Sequence, residues 1–134
     1  MNSKINICLI FFFFLFSFSV SAQKKIDGKR IKEVKEWKIE GKKRTLDQIT
    51  YYDEKSNKTE EKEYNSVGDL KKRVTYEYNE SGKCVKESYY DKYNKLEKVV
   101  TFEYLEGGRK KSQSTYLPNG KLKHTKEFEY ILSE

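Results

Sequence analysis

Between residues 42 and 130, apolar and polar positions alternate in short runs cut at regular intervals by turn-forming residues. Long runs such as "LKKRVTYEY" at 70–78 and "LEKVVTFEY" at 96–104 carry most of the apolar residues. Shorter runs such as "NKTEEKE" at 57–63 and "KKSQST" at 110–115 carry none. Period-two alternation bounded by Gly, Asn and Ser predicts β-strands. Tyr52, Tyr78, Tyr104 and Tyr130 are 26 residues apart, as are Tyr64, Tyr90 and Tyr116, and the two series interleave in steps of 12 and 14. Four residues after each tyrosine but the last stands Ser56, Gly68, Gly82, Asn94, Gly108 or Gly120. Each "Y-x-x-x-G" then reads as a strand end followed by a type I turn and a residue in the left-handed region, the three-residue hairpin loop with a glycine bulge.

The fold expected is all-β: an antiparallel β-meander of 7–8 strands built from tandem hairpin repeats with a 26-residue period, as a single curved sheet or a partly closed barrel. Seven strands fill 42–130. Residues 26–37 add an eighth strand or a short helix, since Ile31, Val34 and Trp37 also suit a helical face. Trp37 with Gly41 reads as an earlier, divergent copy of the motif.

If one bulge per loop fixes the register, even-numbered side chains from Tyr52 onward share a face. Tyr64 then lies opposite Leu70, Tyr90 opposite Leu96 and Tyr116 opposite Leu122. Further along, Cys84 would oppose Phe102, Lys110 Phe128, Glu61 Arg73, Glu63 Lys71 and His124 Ser114, while Lys72 and Lys98 would oppose Tyr90 and Tyr116. The even face becomes the candidate core or binding face, with Tyr64, Tyr78, Tyr90, Tyr104, Tyr116, Tyr130, Phe102 and Phe128. The odd face, mostly Thr, Glu, Lys and Gln, is left to solvent. An aromatic face needs a cover: the sheet curls on itself, the segment 24–40 packs across it, or another molecule covers it. Placing Trp37 on that face requires a bulge within 42–52. The apolar strands 69–78, 95–104 and 121–130 are expected to be protected best from amide exchange.

Composition adds a leader. Lys4, the apolar run "INICLIFFFFLFSFSV" and the small residues of "VSA" at 20–22 read as a secretory signal peptide cut between Ala22 and Gln23. The domains expected are 1–22 signal peptide, 23–40 N-terminal segment and 41–134 hairpin domain. The full chain carries +7, and loss of Lys4 leaves +6, with basic and acidic residues interleaved. That pattern and export argue against nucleic acid. After cleavage no segment is left to span a membrane, and the destination is secreted or periplasmic, at the cell envelope. Cys84 is then alone, so no intrachain disulfide forms. Leu, Ile, Val and Phe are scarce, while eleven tyrosines weigh against disorder.

No constellation of catalytic or metal-binding residues emerges. His124 is the only histidine, and a lone imidazole makes no zinc site without partners. A cysteine nucleophile would need it beside Cys84, several strands away in a flat meander. The chain reads as a non-enzyme without cofactor or metal.

The stretches "TYEYNESGK" and "TFEYLEGGRK" resemble the YD repeats of RHS proteins, and "YLPNGKLK" resembles a MORN-repeat variant of small bacterial antitoxin-type proteins. The resemblance covers about 50–130 and implies a long antiparallel meander. This chain departs from RHS proteins in being too short for their shell, and Asn65 and Asn79 replace the usual Asp, kept at Asp53 and Asp91. Neither family supplies catalytic residues. The function expected is an exported repeat protein that binds a protein or glycan partner at the cell envelope. The alternatives are a structural self-assembling module, oligomeric through its edges or faces, and an antitoxin- or immunity-like protein.

Overall fold

The computed structural model describes residues 25–134; the expected leader and its Ala22–Gln23 junction lie outside them. The described residues form strands and no helix. Two short strands, β1 (Lys25–Ile26) and β2 (Lys29–Arg30), make a separate hairpin. The other eight are β3 (Glu33–Glu40), β4 (Lys43–Tyr52), β5 (Lys58–Tyr64), β6 (Leu70–Tyr78), β7 (Cys84–Tyr90), β8 (Leu96–Tyr104), β9 (Lys110–Tyr116) and β10 (Leu122–Glu127). They pair antiparallel in chain order to form one open sheet with β3 and β10 at its edges. It is a meander, and not a closed barrel. For the segment 26–37 the strand alternative holds. Asp27 and Gly28 both take positive φ, 49° and 73°, which makes the tight two-residue hairpin turn that Asp-Gly favours and leaves no room for a helix.

The loops after β4 to β9 share one geometry. In the last, Gly120 N–H donates to the Leu117 carbonyl at 2.9 Å and Leu117 N–H to the Lys121 carbonyl at 2.9 Å. The same pair of bonds recurs at 53–57, 65–69, 79–83, 91–95 and 105–109. The fourth residue after each tyrosine has positive φ, including the non-glycines Ser56 (63°) and Asn94 (62°). The residue following the tyrosine completes four of the loops through its side chain. Oδ1 of Asp53, Asn65 and Asp91 each accepts two backbone N–H bonds from its own loop, and Asn79 accepts one from Lys83.

The expected pairs at the loop ends form: Tyr64 with Leu70, Tyr90 with Leu96, Tyr116 with Leu122. The register then slips once more in every hairpin. Beyond Tyr64–Leu70 the next pair is Glu63–Lys72, which leaves Lys71 as an extra residue. Thr59, Val85, Glu97, Lys111 and Lys123 are the extra residues of the neighbouring pairs. This second bulge exchanges odd and even along the downstream strand. Several expected pairings are corrected accordingly. Glu61 opposes Val74, and Glu63 opposes Lys72. Arg73, not Lys72, opposes Tyr90, and Val99, not Lys98, opposes Tyr116. His124 opposes Thr115, and since Lys86 opposes Thr101, Cys84 lies past Phe102 rather than opposite it, while Phe102 pairs Gln113 on its other side. Phe128 N–H bonds the Lys111 carbonyl, one residue beyond the expected Lys110. The bulge proposed within 42–52 is present: Trp37 pairs Leu46 and Glu36 pairs Gln48, with Asp47 extra.

Two faces follow from the observed pairs. One row of face A runs Val34–Thr50–Glu61–Val74–Tyr89–Lys98, and the next Tyr76–Glu87–Val100–Thr115–His124. Face B carries Glu33–Tyr51–Glu60–Thr75–Ser88–Val99–Tyr116. The buried apolar side chains are Ile49, Val74, Val100 and Phe102, and Thr50, Ser88, Ser112 and Thr115 are buried with them. Ile49 lies on face B and the other three apolar residues on face A, so a thin core is split between the two sides of one layer. The segment 25–40 does not lie across either face; β3 extends the sheet instead. β10, expected to be among the best-protected strands, is exposed along its whole length, with Lys126 standing 26 residues after the buried Val100.

Two measurements check this arrangement. Phe102→Ala should cost about 3–5 kcal/mol in a denaturant melt. Thr101→Ala, on the opposite face, should cost within about 0.5 kcal/mol; the reverse order would mean the faces are exchanged. A Cβ on Gly120 would meet nothing within 4 Å. Gly120→Ala therefore tests its positive φ of 82° alone, and should lower stability by about 1–2 kcal/mol.

Candidate binding surfaces

The eight aromatic residues expected on one face are divided between two. Tyr64, Tyr90 and Tyr116 lie on face B beside Leu70, Leu96 and Leu122, at the rim where β5, β7 and β9 end. Tyr78, Tyr104 and Phe102 lie on face A, towards the opposite rim, with Cys84 and Lys110 as neighbours. Tyr130 follows β10, and Phe128 and Tyr130 are both exposed. Each ladder takes its members from alternate strands, about 9–10 Å apart. The two ladders run across the strands at opposite rims of opposite faces.

Two tyrosines are anchored through their hydroxyls. Tyr104 donates to the Cys84 carbonyl, and Tyr130 to the Lys110 carbonyl at 2.7 Å. Both span 20 residues. The carbonyls so bound lie where the register slips, so each tyrosine braces the start of the neighbouring strand. Sequence reading identified the tyrosines and missed this bond; the shared 20-residue offset of Tyr104 and Tyr130 from the strand starts Cys84 and Lys110 was the available signal.

Cations cover several rings. The Arg73 guanidinium lies 3.9 Å from the Tyr90 centroid, and reaches Asn94 Oδ1 at 2.8 Å and Glu60 at 3.2 Å. Lys98 Nζ is 4.4 Å from the Tyr89 ring, Lys110 Nζ 4.2 Å from Phe102, and Arg44 4.3 Å from Trp37. Attraction between a cation and a ring face favours each contact. Sequence reasoning considered Lys72 and Lys98 for this role, on Tyr90 and Tyr116. The second bulge gives Tyr90 to Arg73 and Lys98 to Tyr89.

The titrating groups follow the packing. Burial pushes the Tyr78 phenol up to about 12, with the Cys84 and Asp53 side chains adding to the effect. Burial also raises Tyr76, Tyr89 and Tyr104; the Tyr89 hydroxyl in addition donates to Glu87 Oε2. Burial raises the Cys84 thiol. Asp53 is drawn up by burial, but hydrogen bonds from Asn57 and Lys55 outweigh it and its carboxyl lies below the ordinary value. Hydrogen bonds from Lys71 and Lys72 hold Glu63 down. An open depression of about 550 Å³ lies between the loops 53–57 and 79–82, floored by Thr59, Tyr76 and Tyr78 and rimmed by Asp53, Glu77 and Glu80. Among the described residues no three His, Cys, Asp or Glu side chains group in a way that could hold a metal ion. His124 is exposed on β10 and Cys84 starts β7, so the two stay on separate strands.

No protein-family model matches this sequence, and no curated protein does. Among solved structures, the chain is similar to one in the GtfA/B complex crystallised with UDP and GlcNAc, with a TM-score of 0.33 and 15% identity. The match covers 61% of this chain and 16% of that one. A likeness of that size bears on neither fold nor activity.

The raised tyrosines set a pH dependence. The folded state keeps these phenols protonated above the ordinary tyrosine value of about 10, where the unfolded chain ionises. Unfolding then releases protons, so stability should fall as pH rises beyond about 10. Urea midpoints measured from pH 8 to 11 should be level at first and then decline. Tyr78→Phe should make the decline shallower, and an unchanged slope would show that Tyr78 does not contribute to it.

Proposed function

We propose that this chain is an exported, non-enzymatic protein of tandem 26-residue hairpin units, of the YD or MORN-variant kind, that works by binding a protein or glycan partner at the cell envelope. One observation carries the reading: a single-layer sheet with both faces open among the described residues displays two aromatic ladders at a regular cross-strand spacing. Tyrosine suits such a surface because it offers apolar area with a polar tip. The face-B ladder is the better candidate for contact. Its tyrosine hydroxyls bond no group among the described residues, whereas those of Tyr104 and Tyr130 are committed to backbone carbonyls. A partner lying across the strands would meet Tyr64, Tyr90 and Tyr116 in turn.

The test is capture of envelope glycans and proteins by the protein as recovered from expressing cells, compared with a Tyr64→Ala, Tyr90→Ala, Tyr116→Ala variant. Binding should fall by an order of magnitude or more, since aromatic anchors dominate such contacts, while the variant keeps its strand circular dichroism. Retention of all partners by a folded variant would refute the ladder.

The open edges β3 and β10 favour a second reading, self-assembly by edge-to-edge pairing. Charge on both edges, with Lys35 and Lys38 on β3 and Lys123 and Lys126 on β10, weighs against it, because edge lysines discourage strand addition.

A further inference from the structure

Charge is distributed unequally over the sheet. In β5 and β6 the cations are matched: Lys58 bonds Glu61 at 2.6 Å, Lys72 bonds Glu63 at 2.7 Å, and Arg73 bonds Glu60. Toward β10 the alternation separates the signs. Face B of β8–β10 takes Glu103 and Glu127, which flank Ser112. Face A of the same strands takes Lys98, Lys110, His124 and Lys126 around Val100 and Phe102, with Gln113 and Thr115 between them. None of these three lysines has a carboxylate oxygen within 4.0 Å among the described residues. The carboxylate facing this patch from the neighbouring strand is Glu87, on β7, which already accepts the Tyr89 hydroxyl.

We propose that face A of β8–β10 is a docking surface for an anionic polysaccharide, one bearing uronate or similar carboxylate groups along an extended chain. Charge complementarity carries the assignment: on face A of these strands the cations have no acid beside them, the acids Glu103 and Glu127 lying on face B, and such a patch holds a positive potential that attracts a polyanion. The surface also suits a polysaccharide rather than a membrane. Lys98 and Lys110 lie over rings, which holds their side chains along the sheet, and Gln113 offers an amide to hydroxyl groups. The exposed Ile131 and Leu132, which a lipid surface would draw in, lie past the end of β10. The inference rests on the reading of the chain as a binding protein, but uses the opposite face from the ladder of Tyr64, Tyr90 and Tyr116.

The test is calorimetric titration of the protein, as recovered from expressing cells, with polygalacturonate oligosaccharides, neutral cello-oligosaccharides, and vesicles with and without phosphatidylglycerol. Binding to polygalacturonate is expected, weakening as salt rises because exposed charges are screened. A Lys98→Gln, Lys110→Gln, Lys126→Gln variant should lose roughly tenfold or more in affinity, and a Lys62→Gln, Lys86→Gln variant on face B should lose little. No binding to polygalacturonate, equal binding to the neutral oligosaccharide, equal losses in the two variants, or binding to phosphatidylglycerol vesicles alone would each overturn the proposal. The Tyr64, Tyr90, Tyr116 variant keeps the two readings apart: if the face-A surface is right and the ladder wrong, it binds polygalacturonate as the parent does.

Discussion

The conformation of one residue per loop governs this structure. Ser56, Gly68, Gly82, Asn94, Gly108 and Gly120 each turn left-handed, and that single positive φ lets a type I turn close a hairpin in which the two strands twist together. The loop fixes the first pair of every hairpin, and the slip that follows assigns side chains to faces. Without the left-handed residue the pairs Tyr64–Leu70, Tyr90–Leu96 and Tyr116–Leu122 would not form, and neither ladder would exist.

The second bulge has a physical reading. Its extra residues, such as Lys71, Glu97 and Lys123, are mostly charged, and a bulge leaves its extra residue outside the ladder of paired side chains. On face A the tyrosine hydroxyl then bonds the backbone beside the slip. Cys84 and Lys110, whose carbonyls are bound in this way, directly precede the extra residues Val85 and Lys111. A sheet with so few buried apolar side chains is supported by such local bonds and by ring–cation contacts more than by a shared interior. That also accounts for a sheet in which Thr50, Ser88, Ser112 and Thr115 are buried alongside Val74 and Val100.

Much of the fold was legible in the chain because loops are written locally. The tyrosine spacing, the six left-handed positions and the strand-end pairs all follow from residues within a few positions of each turn. The face assignment was not legible, because a bulge two residues beyond the loop leaves no compulsory residue type: Thr59, Lys71, Val85 and Glu97 all serve. One such slip reverses every later side chain, so an aromatic set expected together was divided between two sides. The N-terminal hairpin had a readable signal in Asp27-Gly28, but 26–37 was read as one further strand or a short helix, with no turn inside it. The cation over each ring was legible only in outline, since its identity depends on the register.

In the eight-stranded sheet each strand touches only the strand before it and the strand after it. The described residues therefore have no centre. Their stability is a sum of local terms, as in a one-dimensional lattice, and not a property of a closed interior. Contacts of short sequence separation also favour rapid folding, because little loop-closure entropy precedes the first stabilising pair. Loss of structure can then begin at either border and advance inward one strand at a time, so that the middle of the array outlives its ends.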